Sequence, residues 1–179
     1  MEKIYVIAGK ARHGKDTTAL AIKKAYKDKK VINLAYANYI KEFAKKISDW
    51  DGKEETKPRE LLQKLGTDIV RDKIDKDFFV KRLCDDIRVY SYFFDIITIS
   101  DARFPNEIDI PKSLFENVVS IKVVRDHFES PLTLKEQKHA TEIALDDYDN
   151  FDYILHNDGT IKDLEEKVEK LVKKVDYER

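Results

Sequence analysis

The sequence has little of what secreted, membrane-spanning or polyanion-binding proteins need. Its single cysteine, Cys84, excludes a disulfide framework and favours a reducing compartment. The N-terminus turns polar too early for a signal peptide, and the apolar runs, IITIS among them, are far below the roughly 20 residues that cross a bilayer. A formal net charge of -1 gives no global attraction for nucleic acid, so phosphate affinity requires a local cluster. We therefore expect a soluble, cytoplasmic protein.

The apolar pattern predicts one domain of alternating strands and helices, since 179 residues suffice for a single core. Short apolar runs predict strands at residues 4–8, 31–35, 95–100, 118–124 and 153–155. Helices are predicted at 15–28, in two or three pieces across 38–90, and at 160–175. The first helix should pack through Leu20, Ala21, Lys24 and Ala25. This alternation predicts an α/β fold of three layers, in which a parallel sheet of about five strands has helices on both faces. Ligands of such sheets bind beyond the carboxyl ends of the strands.

The strongest motif, GKARHGKDT at residues 9–17, follows the first predicted strand. Its two glycines allow backbone N–H groups to form an anion nest, and the next helix adds its positive dipole end. Lys15 can reach the β- and γ-phosphates of a nucleotide. Asp16 occupies the usual place of the Ser or Thr that ligates Mg²⁺. We predict that Asp16 acts on the metal directly or through water, while Thr17 bonds a phosphate. The predicted cofactor-binding residues are Gly9, Ala11, Arg12, His13, Gly14, Lys15, Asp16 and Thr17.

A second motif, SDARFPNE at residues 100–107, follows the strand DIITI. Asp101, at the end of a buried strand near the first loop, can hold Mg²⁺ through water or orient an acceptor. Arg103 can bind a phosphate bidentately. The competing interpretation is that Asp101 only caps the helix that Pro105 begins. The position of both residues at the predicted ligand edge favours the functional interpretation.

A third motif, KPRELLQKLGTDIVR at residues 57–71, offers acceptor contacts. Arg59 and Gln63 share a helix face because they are four positions apart, and Arg71 lies further along. Arginine and glutamine on one face suit an acceptor that carries a phosphate and a base edge. The spacing fits a solvated, charged helix equally well.

The polar segment at residues 125–142 predicts a loop that closes over bound phosphates. Arg125 would then reach the transferring group, where negative charge accumulates. His139, Thr141 and Glu142 lie at its end. By chemistry alone, His139 fits a surface or helix-capping histidine.

These motifs together resemble the deoxynucleoside monophosphate kinase family that is common in bacteriophages. The matching pieces occur in order over almost the whole chain: GKARHGKDT, PRELLQKLGTDIVR, ISDARFPNEID, HATEIALD and NDGTIKDL. The GKDT loop is shared with phosphomevalonate kinases, whereas LLQ-x-x-GTD together with SDARFPNE is more discriminating. Thr141 stands where members of the family often have Ser.

The resemblance implies a P-loop NTPase fold of the nucleoside monophosphate kinase type. It also implies ATP- and Mg²⁺-dependent transfer to a (deoxy)nucleoside monophosphate, giving the diphosphate. Residues 1–179 would form a single kinase domain, with an acceptor-binding helical insertion at about 38–90 and a lid-like segment at about 125–142. The implied catalytic residues are Lys15, Asp101, Arg103 and Arg125, and the implied metal ligands are Asp16 and Asp101. The implied substrate-binding residues are Arg59, Gln63, Thr67, Arg71, Arg103 and Glu142.

Two other functions fit the sequence. One is a kinase of another small phosphorylated metabolite, such as phosphomevalonate. The other is a P-loop protein that binds nucleotide without catalysis, although a switch has little use for the acceptor-side arginines. We expect small-molecule nucleotide partners, no nucleic acid and no membrane. The resemblance further suggests a phage gene acting in the host cytoplasm, and a homodimer is compatible with it.

Overall fold

A parallel sheet forms the centre of the fold. The computed structural model describes residues 1–177, in which the strands are β1 (Lys3–Ala8), β2 (Val31–Leu34), β3 (Ile96–Ala102), β4 (Val118–Val124) and β5 (Tyr153–His156). They lie in the order β2-β3-β1-β4-β5, and each neighbouring pair is parallel. The predicted parallel sheet of about five strands is confirmed. β3 runs two residues further than expected, because Ala102 still pairs with Ala8 of β1 across a register shift.

Helical segments connect the strands and cover both faces of the sheet. They are α1 (Lys15–Ala25), α2 (Ala37–Ile47), α3 (Arg59–Gln63), a π-helical segment (Lys64–Ile74), α4 (Phe78–Tyr90), α5 (Asn106–Leu114), α6 (Leu134–Gln137), α7 (Ala140–Ile143) and α8 (Ile161–Tyr177). α1 and α8 share one hydrophobic core with the sheet, and α4 and α5 share the other. The three-layer arrangement is therefore confirmed. No helix within residues 1–177 combines the length and the apolar character needed to cross a membrane.

β1 explains why the strands of this sheet are continuously apolar. Tyr5 and Ile7 belong to the core shared with α1 and α8, whereas Ile4 and Val6 belong to the core on the opposite face. All four are fully buried, and each of the three aliphatic side chains contributes about 1.5–3 kcal/mol relative to exposure. β1 is the central strand of the sheet, so the loop after it emerges in the middle of the carboxyl edge.

The predicted packing face of α1 is partly wrong. Leu20 is 52% exposed, and Lys24 pairs with Glu165 at the surface. The other two predicted residues are confirmed, since Ala21 is buried and Ala25 packs against the core. The buried side of α1 also includes Ala19 and Ile22, together with polar residues of its first turns. Because polar residues beside the glycine loop form part of the buried face, the spacing of apolar residues does not identify that face. The helix also ends at Ala25 rather than at position 28.

Residues 38–90 form helices, as expected, with an irregular break between Ile47 and Arg59. The last of these helices, α4, buries Cys84, and burial raises the pKa of its thiol to about 11. A thiol with that pKa is almost entirely protonated at neutral pH, so Cys84 acts as a small core residue.

Candidate active site

The loop between β1 and α1 (residues 9–17, the P-loop below) has the backbone geometry that its glycines predict. Gly9 has φ +148° and Gly14 has φ +100°, a region that side chains rarely adopt. A Cβ on Gly9 would also lie 2.4 Å from the carbonyl oxygen of Val123 on β4. Asn157 closes the other side of the loop, where its Nδ2 donates to the carbonyl oxygen of His13 at 2.9 Å. The loop is thus packed between β4 and the turn after β5.

Lys15 lies inside this loop. It is only 8% exposed, and its Nζ donates to the carbonyl oxygen of Lys10 at 3.0 Å. Burial, and next the positive charge of Arg103, lower the pKa of Lys15 to about 8. The charged form of Lys15 is therefore less stable than that of an exposed lysine, and a ligand with several negative charges would stabilise it.

Asp16 connects the P-loop to β3. Its Oδ1 accepts a 2.8 Å hydrogen bond from the hydroxyl of Ser100. Asn33 of β2 donates to the same hydroxyl at 3.1 Å, so a polar connection crosses from β2 through β3 to α1. The carboxylate of Asp16 itself is exposed. Carboxylate and hydroxyl oxygens are ligands that suit Mg²⁺.

Asp101, on the same strand, is held by a different helix from the one that the sequence suggested. Its two carboxylate oxygens accept the backbone N–H groups of Tyr36 and Ala37, each at 2.9 Å. It therefore caps α2, and the alternative in which it caps the helix begun by Pro105 is wrong. Burial raises the pKa of Asp101, and the two amide hydrogen bonds oppose that rise.

Arg103 and Glu142 form an ion pair beside the P-loop. Nη1 of Arg103 donates to Oε1 of Glu142 at 2.8 Å, and Oε2 of Glu142 accepts the backbone N–H of Ala11 at 2.9 Å. The ring of His139 begins α7 by accepting the N–H of Thr141, so this histidine is a helix cap. The carboxylate of Glu142, on α7, therefore already accepts the hydrogen bond of one P-loop amide, that of Ala11.

Glu107 is a site residue that sequence reasoning missed. It is 7% exposed, and its Oε2 accepts the amides of Arg103 and Phe104 at 2.6 and 3.1 Å. Burial raises the pKa of Glu107 to about 7. The guanidinium of Arg71 stacks 3.5 Å from the ring centroid of Phe104, and its Nη2 lies 3.6 Å from Oε1 of Glu107. The one available signal was the position of Glu107, four residues after Arg103 within SDARFPNE.

One cavity of about 780 Å³ brings most of the predicted residues together. Basic side chains outnumber acidic ones around it, which suits a ligand with several negative charges. The predicted residues that line it are Ala11, Arg12, Lys15, Asp16, Arg59, Gln63, Thr67, Arg71, Asp101, Arg103 and Glu142. Gly9 and His13 line a smaller neighbouring cavity of about 90 Å³, which Arg103 and Glu142 also line.

Arg125 contacts the P-loop from the end of β4. Its backbone N–H donates to Nδ1 of His13 at 3.2 Å. Its guanidinium stacks on the ring of Phe128, 4.2 Å from the centroid, and the same ring contacts His13 edge-on. The side chain of Arg125 is thus held by an aromatic ring of the segment that was predicted to close over the phosphates.

The sheet order, the glycine loop after the central strand and the cationic cavity at the carboxyl edge define a P-loop kinase fold. A solved structure of a sugar kinase from Janibacter sp. HTCC2649 has this fold, with a TM-score of 0.59, 13% identity and coverage of 97% of this chain and 95% of that one. At that identity, the likeness concerns the fold alone.

The chain belongs to the deoxynucleotide monophosphate kinase family, whose family model matches residues 39–168. This confirms the resemblance found in the motifs. The deoxynucleotide monophosphate kinase of Escherichia phage RB69 is 32% identical over 116 residues, covering 64% of this chain and 44% of the relative. That of Enterobacteria phage T4 is 26% identical over 147 residues, covering 81% and 55%. The chain thus spans about half the length of these relatives.

Proposed function

We propose that this protein transfers the γ-phosphoryl group of ATP, with Mg²⁺, to a (deoxy)nucleoside monophosphate. One observation carries the proposal: a single cavity is lined both by the P-loop and by the arginines of the helical insertion. A protein that only binds a nucleotide needs the first set, whereas a transferase also needs the second. Membership in the deoxynucleotide monophosphate kinase family and the names of its phage relatives support the choice of acceptor.

The donor phosphates bind at the P-loop in this proposal. Its amides, the N-terminus of α1 and the buried ammonium of Lys15 supply the positive potential. Because Glu142 holds the amide of Ala11 in the described structure, α7 must release that amide before a terminal phosphate can use it. The pair formed by Arg103 and Glu142 then opens at the same time, which frees the guanidinium for phosphate.

The acceptor binds against the helical insertion, about residues 38–90. Arg59, Gln63, Thr67 and Arg71 line the cavity from that side, and Arg103, which follows β3, lines the same cavity. A phosphate oxygen of the acceptor attacks the γ-phosphorus, the bond to the β,γ-bridging oxygen breaks, and ADP leaves. No covalent enzyme intermediate forms, so positioning and charge stabilisation provide the catalysis.

Asp16 and Asp101 are the proposed metal-binding residues, and their donor atoms fit Mg²⁺. When bound, this ion neutralises charge on the donor phosphates. The carboxylate of Asp16 is exposed toward the cavity, whereas each oxygen of Asp101 already accepts an amide of α2. Asp16 is therefore the more available ligand.

The lid segment, about residues 125–142, is proposed to cover the reacting phosphates. Pro131, Leu132 and Glu136 line the same cavity as the P-loop and the helical insertion, so this segment already reaches the proposed site. Arg125 lies at its beginning, stacked on Phe128. We expect Arg125 to leave that ring when the donor binds and to neutralise charge in the transition state.

The proposal is tested by ADP release with ATP, Mg²⁺ and a panel of deoxynucleoside and ribonucleoside monophosphates, with phosphomevalonate included. Turnover with at least one nucleotide is expected, together with its loss in Lys15→Ala at unchanged melting temperature. Turnover with phosphomevalonate alone would instead support the metabolite kinase. ATP binding with no acceptor-dependent turnover would support the non-catalytic protein.

The viral relatives favour a phage enzyme that acts in the host cytoplasm. Light scattering after size exclusion chromatography decides whether the protein dimerises.

A further inference from the structure

A carboxylate follows the P-loop lysine in this chain, and a hydroxyl lies near the end of the neighbouring strand. This is the reverse of the usual P-loop pattern. In P-loop NTPases, Mg²⁺ is held by a Ser or Thr that follows the P-loop lysine and by an Asp from a neighbouring strand. Here the P-loop supplies the carboxylate, Asp16, and β3 supplies the hydroxyl, Ser100. The two groups meet directly, at 2.8 Å between Oγ and Oδ1.

The hydrogen bonds around Ser100 fix the direction of its proton. Thr98 is fully buried, and its hydroxyl donates to Oδ1 of Asn33 at 2.8 Å. Nδ2 of Asn33 can only donate, so Oγ of Ser100 accepts from it. The single proton of Ser100 is therefore left for Asp16. Because Ser100 is 3% exposed, water does not readily compete for this arrangement.

Asp101 does not take the place of Ser100 in this pairing. Both of its oxygens accept amides at the start of α2, whereas the hydroxyl of Ser100 points to the P-loop. The carboxylate of β3 therefore stabilises a helix of the acceptor side, and the hydroxyl one position earlier contacts the P-loop.

We propose that Asp16 binds the metal ion and that Ser100 is the residue that positions its carboxylate. Relative to the usual P-loop site, the carboxylate and the hydroxyl have exchanged places in the chain. This inference rests on the proposed function, since the metal is the Mg²⁺ of the bound nucleotide. The hydroxyl orients Asp16 through Oδ1 and leaves Oδ2 for the ion. Loss of the hydroxyl should therefore weaken metal binding without removing a ligand of the phosphates.

The test is the affinity of Mn²⁺, used in place of Mg²⁺, for the complex of the protein with a non-hydrolysable ATP analogue, followed by electron paramagnetic resonance. Ser100→Ala should weaken Mn²⁺ binding by about tenfold, as is typical when a residue that orients a metal ligand is removed. Asp16→Ser and Ser100→Asp should each weaken it at least as much. The double variant Asp16→Ser/Ser100→Asp, which restores the usual order, should bind Mn²⁺ more tightly than either single variant.

The matched control is Ser113→Ala, which removes an exposed hydroxyl in α5 and should leave Mn²⁺ affinity unchanged. Melting temperatures and the metal-free affinity for the analogue separate a local effect from loss of the fold. Unchanged Mn²⁺ affinity in Ser100→Ala would overturn the inference. The same holds if the double variant binds Mn²⁺ no more tightly than the two single variants. A loss in Asp101→Asn without a loss in Ser100→Ala would assign the role to Asp101 instead. A wild-type protein without any Mn²⁺–nucleotide binding would overturn the proposed function as well.

Discussion

The affinity of the protein for ATP should fall steeply as the pH rises above 8. Lys15 is 8% exposed, and its burial lowers its pKa to about 8, with Arg103 adding repulsion. Bound phosphates would restore a pKa of at least the ordinary 10.4 or so, because they stabilise the charged form. Between these two pKa values the complex holds a proton that the free protein has lost. The dissociation constant should therefore rise by roughly 35- to 50-fold from pH 8 to pH 10, which is about 2.1–2.3 kcal/mol.

Isothermal titration calorimetry with a non-hydrolysable ATP analogue, in buffers of different ionisation enthalpy, measures both quantities. Binding at pH 9 should take up close to one proton. Lys15→Arg is the control, since a guanidinium stays charged throughout this range and should remove most of the slope. A flat affinity with no proton uptake in the wild type would refute the reasoning, as would an equal slope in Lys15→Arg.

Three further predictions concern the carboxylates of the site. Burial raises the pKa of Glu107 to about 7, so the folded state binds the extra proton and stability should fall as the pH rises from about 4.5 to 7, by up to about 3 kcal/mol. Glu107→Gln should lack this decline in urea unfolding, and parallel profiles would contradict the assignment. Asp101→Ala leaves two amides of α2 without their acceptor and should lower the unfolding free energy by about 2 kcal/mol, whereas the exposed Asp72→Ala should change it little. Equal losses in the two would contradict the capping role. Glu142→Gln removes the charge that competes for the amide of Ala11 and should tighten ATP binding by about fivefold, or about 1 kcal/mol, in calorimetry; weaker binding would show that Glu142 assists the donor instead.

The fold was largely predictable because its strands are buried on both faces. A run such as residues 4–8 is continuously apolar only when helices cover both sides, and this pattern indicates a parallel sheet. The face of α1 was only partly predictable, because its buried side includes two polar residues, Lys15 of the P-loop and Thr18 directly after it, while Leu20 faces solvent. Periodicity identifies a packing face only where apolar residues form it.

The P-loop could be located from the sequence because its chemistry is local. Glycine spacing, a lysine and the strand before it are all within one short stretch. The hydrogen-bond partners of the carboxylates could not be predicted from the sequence, because they depend on contacts between distant parts of the chain. Ser100 and Asp16 are 84 positions apart, Asp101 reaches back to the start of α2, and Glu142 meets an amide 131 positions earlier. Such contacts follow from the packing of whole elements, which residue spacing does not encode.

The central claim is that one cavity holds a donor at the P-loop and a phosphorylated acceptor at the helical insertion. Incubation with ATP labelled in its γ-phosphate and a panel of deoxynucleoside monophosphates, followed by chromatography, tests it directly. We predict that the label appears in a deoxynucleoside diphosphate, and that Arg71→Ala reduces this product far more than it reduces ATP binding. Label found only in inorganic phosphate, or retained wholly in ATP with every acceptor, would contradict the claim.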